Sequence, residues 1–158
     1  MFHKTLEEAC AGDQMGILTK GVKKGDVRRG MAAGKPGTIK QHDVFEGQVY
    51  ILSKAEGGMA QPVVHTKPLA CFSKTWDCTG YIYLEGKDLI MPGEDSKITV
   101  KLLKPMVMEK GQQFTVRLGN STVGTGKVTD LKPNMTPEER EYLTLSKKKK
   151  EKMAEGKK

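Results

Sequence analysis

A chain of 158 residues can hold one comfortable domain or two small ones, and 37% hydrophobic residues with a mean hydropathy of −0.51 indicate a soluble protein. No apolar run approaches the roughly 20 residues of a membrane-spanning helix, and Phe2 to Glu8 mixes charges without the apolar core of a signal peptide. The formal charge is +8, of which +3 lies from Thr136 onward and +5 is spread over the rest, an excess that suits a polyanionic partner.

Thr5 to Ala11 is a short segment that Gly12-Asp13 stops before it makes a convincing helix. Beyond it, Met15 to Thr19, Val27 to Ala33, Val44 to Leu52, Ala70 to Thr75, Tyr81 to Leu84, Ile98 to Leu103, Phe114 to Val116 and Thr122 to Asp130 read as strands. They are rich in Val, Ile, Tyr, Phe and Thr, and Gly, Pro, Asp or Asn punctuates nearly every gap. Tyr81-Ile-Tyr-Leu84 and Lys97-Ile-Thr-Val-Lys-Leu102 alternate as strands do when one face is packed and the other wet. The pattern is all-β, and its regular spacing points to barrels or a sandwich. Thr136-Pro-Glu-Glu139 then starts a helix with a capping box: Thr136 at the N-cap, Pro137 in the first turn and Glu139 reaching back. After Leu145 the run Ser-Lys-Lys-Lys-Lys-Glu-Lys cannot bury anything and is expected to be mobile.

Motifs for chemistry are absent from the sequence. Gly119 to Lys127 has the look of a phosphate loop, but its spacing is wrong and Val128 stands where a magnesium-binding hydroxyl is required. Asn120-Ser121 reads instead as a hairpin turn, with Gly124 and Gly126 as strand glycines allowing a bulge or close packing. No Asn-Lys-x-Asp for guanine recognition occurs. Asp43 beside His42, and the pair Glu94-Asp95, read as solvated turn acids, so no catalytic residue is assigned and the chain is not expected to be an enzyme. Three cysteines without a CxxC pair argue against a disulfide scaffold, and with His3, His42 and His65 scattered, no metal site is expected. Lys20, Lys23, Lys24, Arg28 and Arg29 cluster between two expected strands, and Lys104 and Arg117 sit at strand ends. Charge alone does not separate an RNA surface from a solvated face.

Lys35-Pro-Gly-Thr-Ile-Lys40, Glu46-Gly-Gln-Val-Tyr-Ile-Leu-Ser-Lys-Ala-Glu-Gly-Gly58, Met91-Pro-Gly-Glu-Asp95 and Gly119-Asn-Ser-Thr-Val-Gly-Thr-Gly126 have a wording that few families share. From Met1 to about Leu131 the chain resembles the C-terminal two-fifths of translation elongation factor Tu, most closely the mitochondrial type. Trp76 and the tail beyond Leu131 carry that last distinction, and it implies a mitochondrial location. The resemblance implies the second half of the middle β-barrel over residues 1–40, a closed antiparallel C-terminal β-barrel over 41–133 and a basic extension over 134–158. It implies delivery of aminoacyl-tRNA to the ribosome, with the ribosome and a nucleotide-exchange factor as further partners and no membrane. GTP and magnesium belong to the family's GTPase domain, whose motifs this sequence lacks, so no cofactor is expected here.

Residue by residue, the resemblance places Arg29 near the tRNA 5′ end, and Thr79, Lys104, Arg117 and Gly119 along the T stem. Gln14 stands where the family usually has an asparagine near the aminoacyl group, a difference of about one methylene. Ala70 replaces a T-stem glutamine, and Gly57-Gly-Met-Ala60 replaces the usual Gly-Gly-Arg-His. Such contacts address phosphates and 2′-hydroxyls and tolerate many sequences, as a carrier of many tRNAs requires. Two other readings are a free-standing RNA-binding barrel and a non-functional remnant of an elongation factor.

Overall fold

Strand alternation builds the core directly. In the computed structural model, which describes Thr5 and residues 7–145, β1 (Gln41–Ile51) turns Phe45, Val49 and Ile51 inward and leaves Gln48 in water. The same period of two runs through β3 (Pro68–Ser73), β4 (Trp76–Leu84), the Ile98 to Leu102 part of β6 (Asp95–Val107) and β7 (Gln113–Leu118), whereas β8 (Ser121–Leu131) buries Val123 and Gly124 side by side. Their inward residues, among them Leu69, Cys71, Ile82, Ile98, Val100, Leu102, Phe114 and Val116, are all but completely buried.

These six strands pair antiparallel in the order β1-β6-β4-β3-β7-β8, and β8 returns to β1 to close a barrel. β1 is the closing strand: Val49 is opposite Ser96 of β6 and opposite Gly126 of β8. A short ribbon of β2 (Val63–Val64) and β5 (Leu89–Ile90), too brief to stand out in the sequence, adds Val63 and Ile90 to the core. The other six expected strands from Val44 onward form, each longer than expected at one or both ends except Ala70 to Thr75, which shifts to Pro68–Ser73.

The barrel closes around Phe114, whose ring meets Phe45 edge-on with centroids 5.2 Å apart. A Cβ on Gly47 would lie 2.8 Å from that ring and one on Gly126 would lie 2.7 Å from it, so both strands need glycine there. The glycines at 124 and 126 therefore serve close strand packing, and a register shift between Val116 and Arg117 adds a bulge beside them.

Residues 7–40 correct one expectation. Met15–Thr19 and Val27–Ala33 are not strands, and no partial barrel forms among the described residues of this segment. Local turns hold it instead, such as that at Pro36-Gly37, where the Thr38 N–H donates to the Lys35 carbonyl at 3.1 Å. Strand propensity without a partner ladder leaves a backbone that water satisfies better. Met15, Ile17, Leu18, Val22, Val27 and Met31 are accordingly exposed.

The C-terminal segment corrects a second. Asp43 is not a solvated turn acid but is fully buried. Its carboxylate accepts the Met135 N–H at 2.9 Å and pairs with Arg140 Nη2 at 2.5 Å, while its own N–H donates to Asn134 Oδ1. Arg140 lies on α1 (Pro137–Thr144), which begins with the expected capping box between Thr136 and Glu139. Leu143 and Met135 pack with Val44 against Tyr81, Tyr83 and Leu103 on the outside of the barrel, and the Tyr81 hydroxyl donates to the Leu143 carbonyl at 3.0 Å. The lysine-rich run expected to be mobile lies outside the described residues.

Two predictions follow from these packing differences. Amide hydrogen exchange should be slow in β1, β6 and β8 and fast over residues 7–40; equal protection of both would mean that the N-terminal arm has found a partner. Asp43→Ala strands a charged arginine whose side chain is only 37% exposed, and should lower the denaturant-derived stability by about 3 kcal/mol. Thr136→Ala loses only an exposed cap and should cost about 1 kcal/mol, so a reversed ranking would rule out the buried pair as the anchor of α1.

Candidate nucleic-acid interface

β3 lies between β4 and β7, and its Ala70 is opposite Thr79 on one side and Arg117 on the other. Leu69, Cys71, Cys78 and Val116 point into the core, so the intervening row Thr79–Ala70–Arg117 runs across the outside of three strands. Phe72 occupies the next place on the same face of β3, opposite Asp77 and Thr115.

Lys104 joins this row from β6. The pairing of β1 with β6 slips between His42 and Val44, which match Met106 and Lys101, so β6 carries an irregularity around Leu102 to Pro105. Strict alternation from Leu102 would turn Lys104 toward the core, yet it is exposed. Its carbonyl lies 3.9 Å from the sulfur of Cys78, beside Thr79. Gly119 sits next to Arg117 at the β7–β8 hairpin, with φ +58 at the first of the two central positions, as a type II′ turn requires.

The resulting stripe over β6, β4, β3 and β7 gathers Lys104, Thr79, Arg117 and Gly119. Gln14 and Arg29 lie in the exposed N-terminal coil. The next residue after Arg29, Gly30, rests against Trp76, where a Cβ would come within 2.8 Å of the Trp76 Cβ, which brings Arg29 to the β3–β4 hairpin. Gln14 is not brought to the stripe by any described contact.

Charge is distributed unevenly around the barrel. Lys97 and Lys132 both pair with Glu46, at 3.1 and 2.7 Å, Lys110 pairs with Asp130 at 2.6 Å and Lys101 faces Glu139. Glu46 is held below the usual carboxylate range by Lys132 first and Lys97 second, and both lysines are raised in return. No described carboxylate is paired with Lys104 or Arg117, which leaves their charge for an outside partner. Arg117 is instead steadied by neutral groups: its guanidinium lies over the Phe72 ring at 5.6 Å and its Nη2 donates to the Asn120 carbonyl at 2.9 Å. Phe72 carries no charge to mark it in the sequence, although the strand period of two sets it on the same face as Ala70.

The family model of the elongation factor Tu C-terminal domain matches residues 38–132, a span that begins just before β1 and ends just after β8. The chain therefore belongs to the family of proteins that carry this domain, and the closed barrel is its fold. That membership ties it to the translation elongation factors.

The two cysteines beneath the stripe are opposite each other, Cys71 on β3 and Cys78 on β4, and both thiols are free. Burial pushes the Cys71 thiol up to about 12, with the neighbouring Cys78 adding to the shift, and burial also raises Cys78. Only the thiolate reacts with an alkylating reagent. At neutral pH the native chain should take up one equivalent of iodoacetamide, at exposed Cys10, and three after unfolding. Rapid native labelling of Cys71 would show that the barrel opens locally between β3 and β4.

Proposed function

We propose that this domain binds aminoacyl-tRNA along the T stem and serves its delivery to the ribosomal A site, with the GTP switch supplied by a GTPase domain of the elongation factor Tu kind. The carrying observation is the stripe: Lys104 and Arg117, unpaired by carboxylates, flank Thr79 on one outer face of an elongation factor Tu C-terminal barrel. The two cations lie on β6 and β7, three strand spacings or roughly 14 Å apart, which suits phosphates that are not adjacent in the backbone, and a threonine hydroxyl between them suits a 2′-hydroxyl. Arg29 and Gln14 would extend the contact toward the acceptor end, and the ribosome and a nucleotide-exchange factor complete the partners of this reading. Trp76 and the basic tail support a mitochondrial-type factor, which fractionation of a tagged full-length protein tests.

Affinity for an RNA hairpin carrying a T-stem sequence should fall steeply with salt, each neutralised phosphate adding about 0.9 to the slope of log K against log salt for a duplex. Lys104→Ala with Arg117→Ala should reduce that slope by roughly two and erase preference for the T stem over an unrelated hairpin. Deleting residues 147–158 should reduce the slope and leave the preference intact. The opposite pattern, preference lost with the tail and kept without the two barrel cations, would remove the barrel as recognition surface. Isothermal titration with GTP and magnesium should give no saturable heat, since this chain holds neither a phosphate loop nor a guanine-reading motif.

A further inference from the structure

We propose that Phe72 is a positioning residue of this RNA face, holding the Arg117 guanidinium ready for a backbone phosphate; the inference rests on the T-stem reading above. Phe72 is 37% exposed on the outer face of β3, with Asp77 and Thr115 as its cross-strand neighbours. A phenyl ring at such a place covers no core, so its packing role is small. Its face instead lies under the Arg117 guanidinium, the geometry in which a cation is drawn to the ring quadrupole.

The guanidinium is restrained at two points: the ring of Phe72 lies beneath its Cζ and the Asn120 carbonyl takes one Nη2 proton, while Nε is buried without an acceptor. The turn at Gly119 sets where the Asn120 carbonyl falls, so the hairpin and the ring act on the same group. What remains of the fork is uncommitted among the described residues and suits the paired oxygens of a phosphate. A long arginine free to rotate loses rotamer freedom when it binds; one already stacked has lost it beforehand. Phe72 thus contributes to affinity without adding charge or touching the nucleic acid.

The test uses the full chain and the T-stem hairpin, with affinity measured by fluorescence anisotropy over a range of potassium chloride. Phe72→Leu should weaken binding about three- to tenfold, the range expected for freeing one long side chain, while the salt slope stays that of the native chain because Arg117 keeps its charge. Phe72→Tyr should bind as the native chain does. Phe72→Leu added to Arg117→Ala should cost nothing beyond Arg117→Ala alone. If Phe72→Leu lowers folding, Phe72→Met compared with Phe72→Tyr supplies the same contrast on a longer, more adaptable side chain.

Additive losses in the double variant would overturn the inference by making Phe72 a direct RNA contact. So would native affinity in Phe72→Leu alongside weakened binding in Arg117→Ala. Native affinity in Arg117→Ala itself would strike at the T-stem reading, a result separable from the other two.

Discussion

Closure of the barrel through β1 is the constraint on which the rest of the structure depends. β1 hydrogen-bonds β6 along one edge and β8 along the other, so no long strand is left with an open row of donors and acceptors. That closure requires two backbones to approach the Phe114 ring, and glycine at 47 and 126 provides the clearance. The aromatic pair Phe45–Phe114 then fills the space that the glycines vacate. A side chain at either glycine would separate β1 from its neighbour and open the edges that closure hides.

From this frame the outer surface divides by charge. Where β1 and β6 meet, Glu46 is satisfied by Lys97 and Lys132, and these exposed pairs contribute little to stability because water screens them. Across β4, β3 and β7 no such matching occurs around Arg117. A cation that is held by an aromatic ring and a carbonyl keeps its full charge for a partner, whereas one held by a carboxylate does not. The stripe is therefore distinguished less by the number of its basic residues than by what steadies them.

Asp43 shows how the barrel extends its reach beyond the family's core span. A carboxylate removed from water is expensive unless paired and hydrogen-bonded, and here the Met135 N–H and Arg140 meet it from the C-terminal segment. Val44, the adjacent residue, faces the other way and packs beneath Met135 and Leu143. Two successive residues of β1 thus anchor α1, Asp43 by charge and Val44 by apolar contact.

What the sequence determined by itself was local. Runs of Val, Ile, Tyr, Phe and Thr between turn residues announced six strands, with period-two alternation plain in two of them. Thr136 and Glu139 announced a helix start, and the glycines at 124 and 126 announced a bulge or close strands, because each depends on residues a few positions apart. The family wording around Pro36-Gly37 and Met91-Pro-Gly93 carried the domain's identity as well. Only the tertiary structure decided which residues meet. Asp43 and Arg140 stand 97 positions apart, and the same aspartate read locally is an ordinary turn acid. Phe72 and Arg117 meet because β3 and β7 are neighbours in space, which no window along the chain reveals. The arm failed in the converse way: Met15–Thr19 and Val27–Ala33 have the composition of strands, but a strand exists only through the ladder of a partner, and among the described residues none pairs with them.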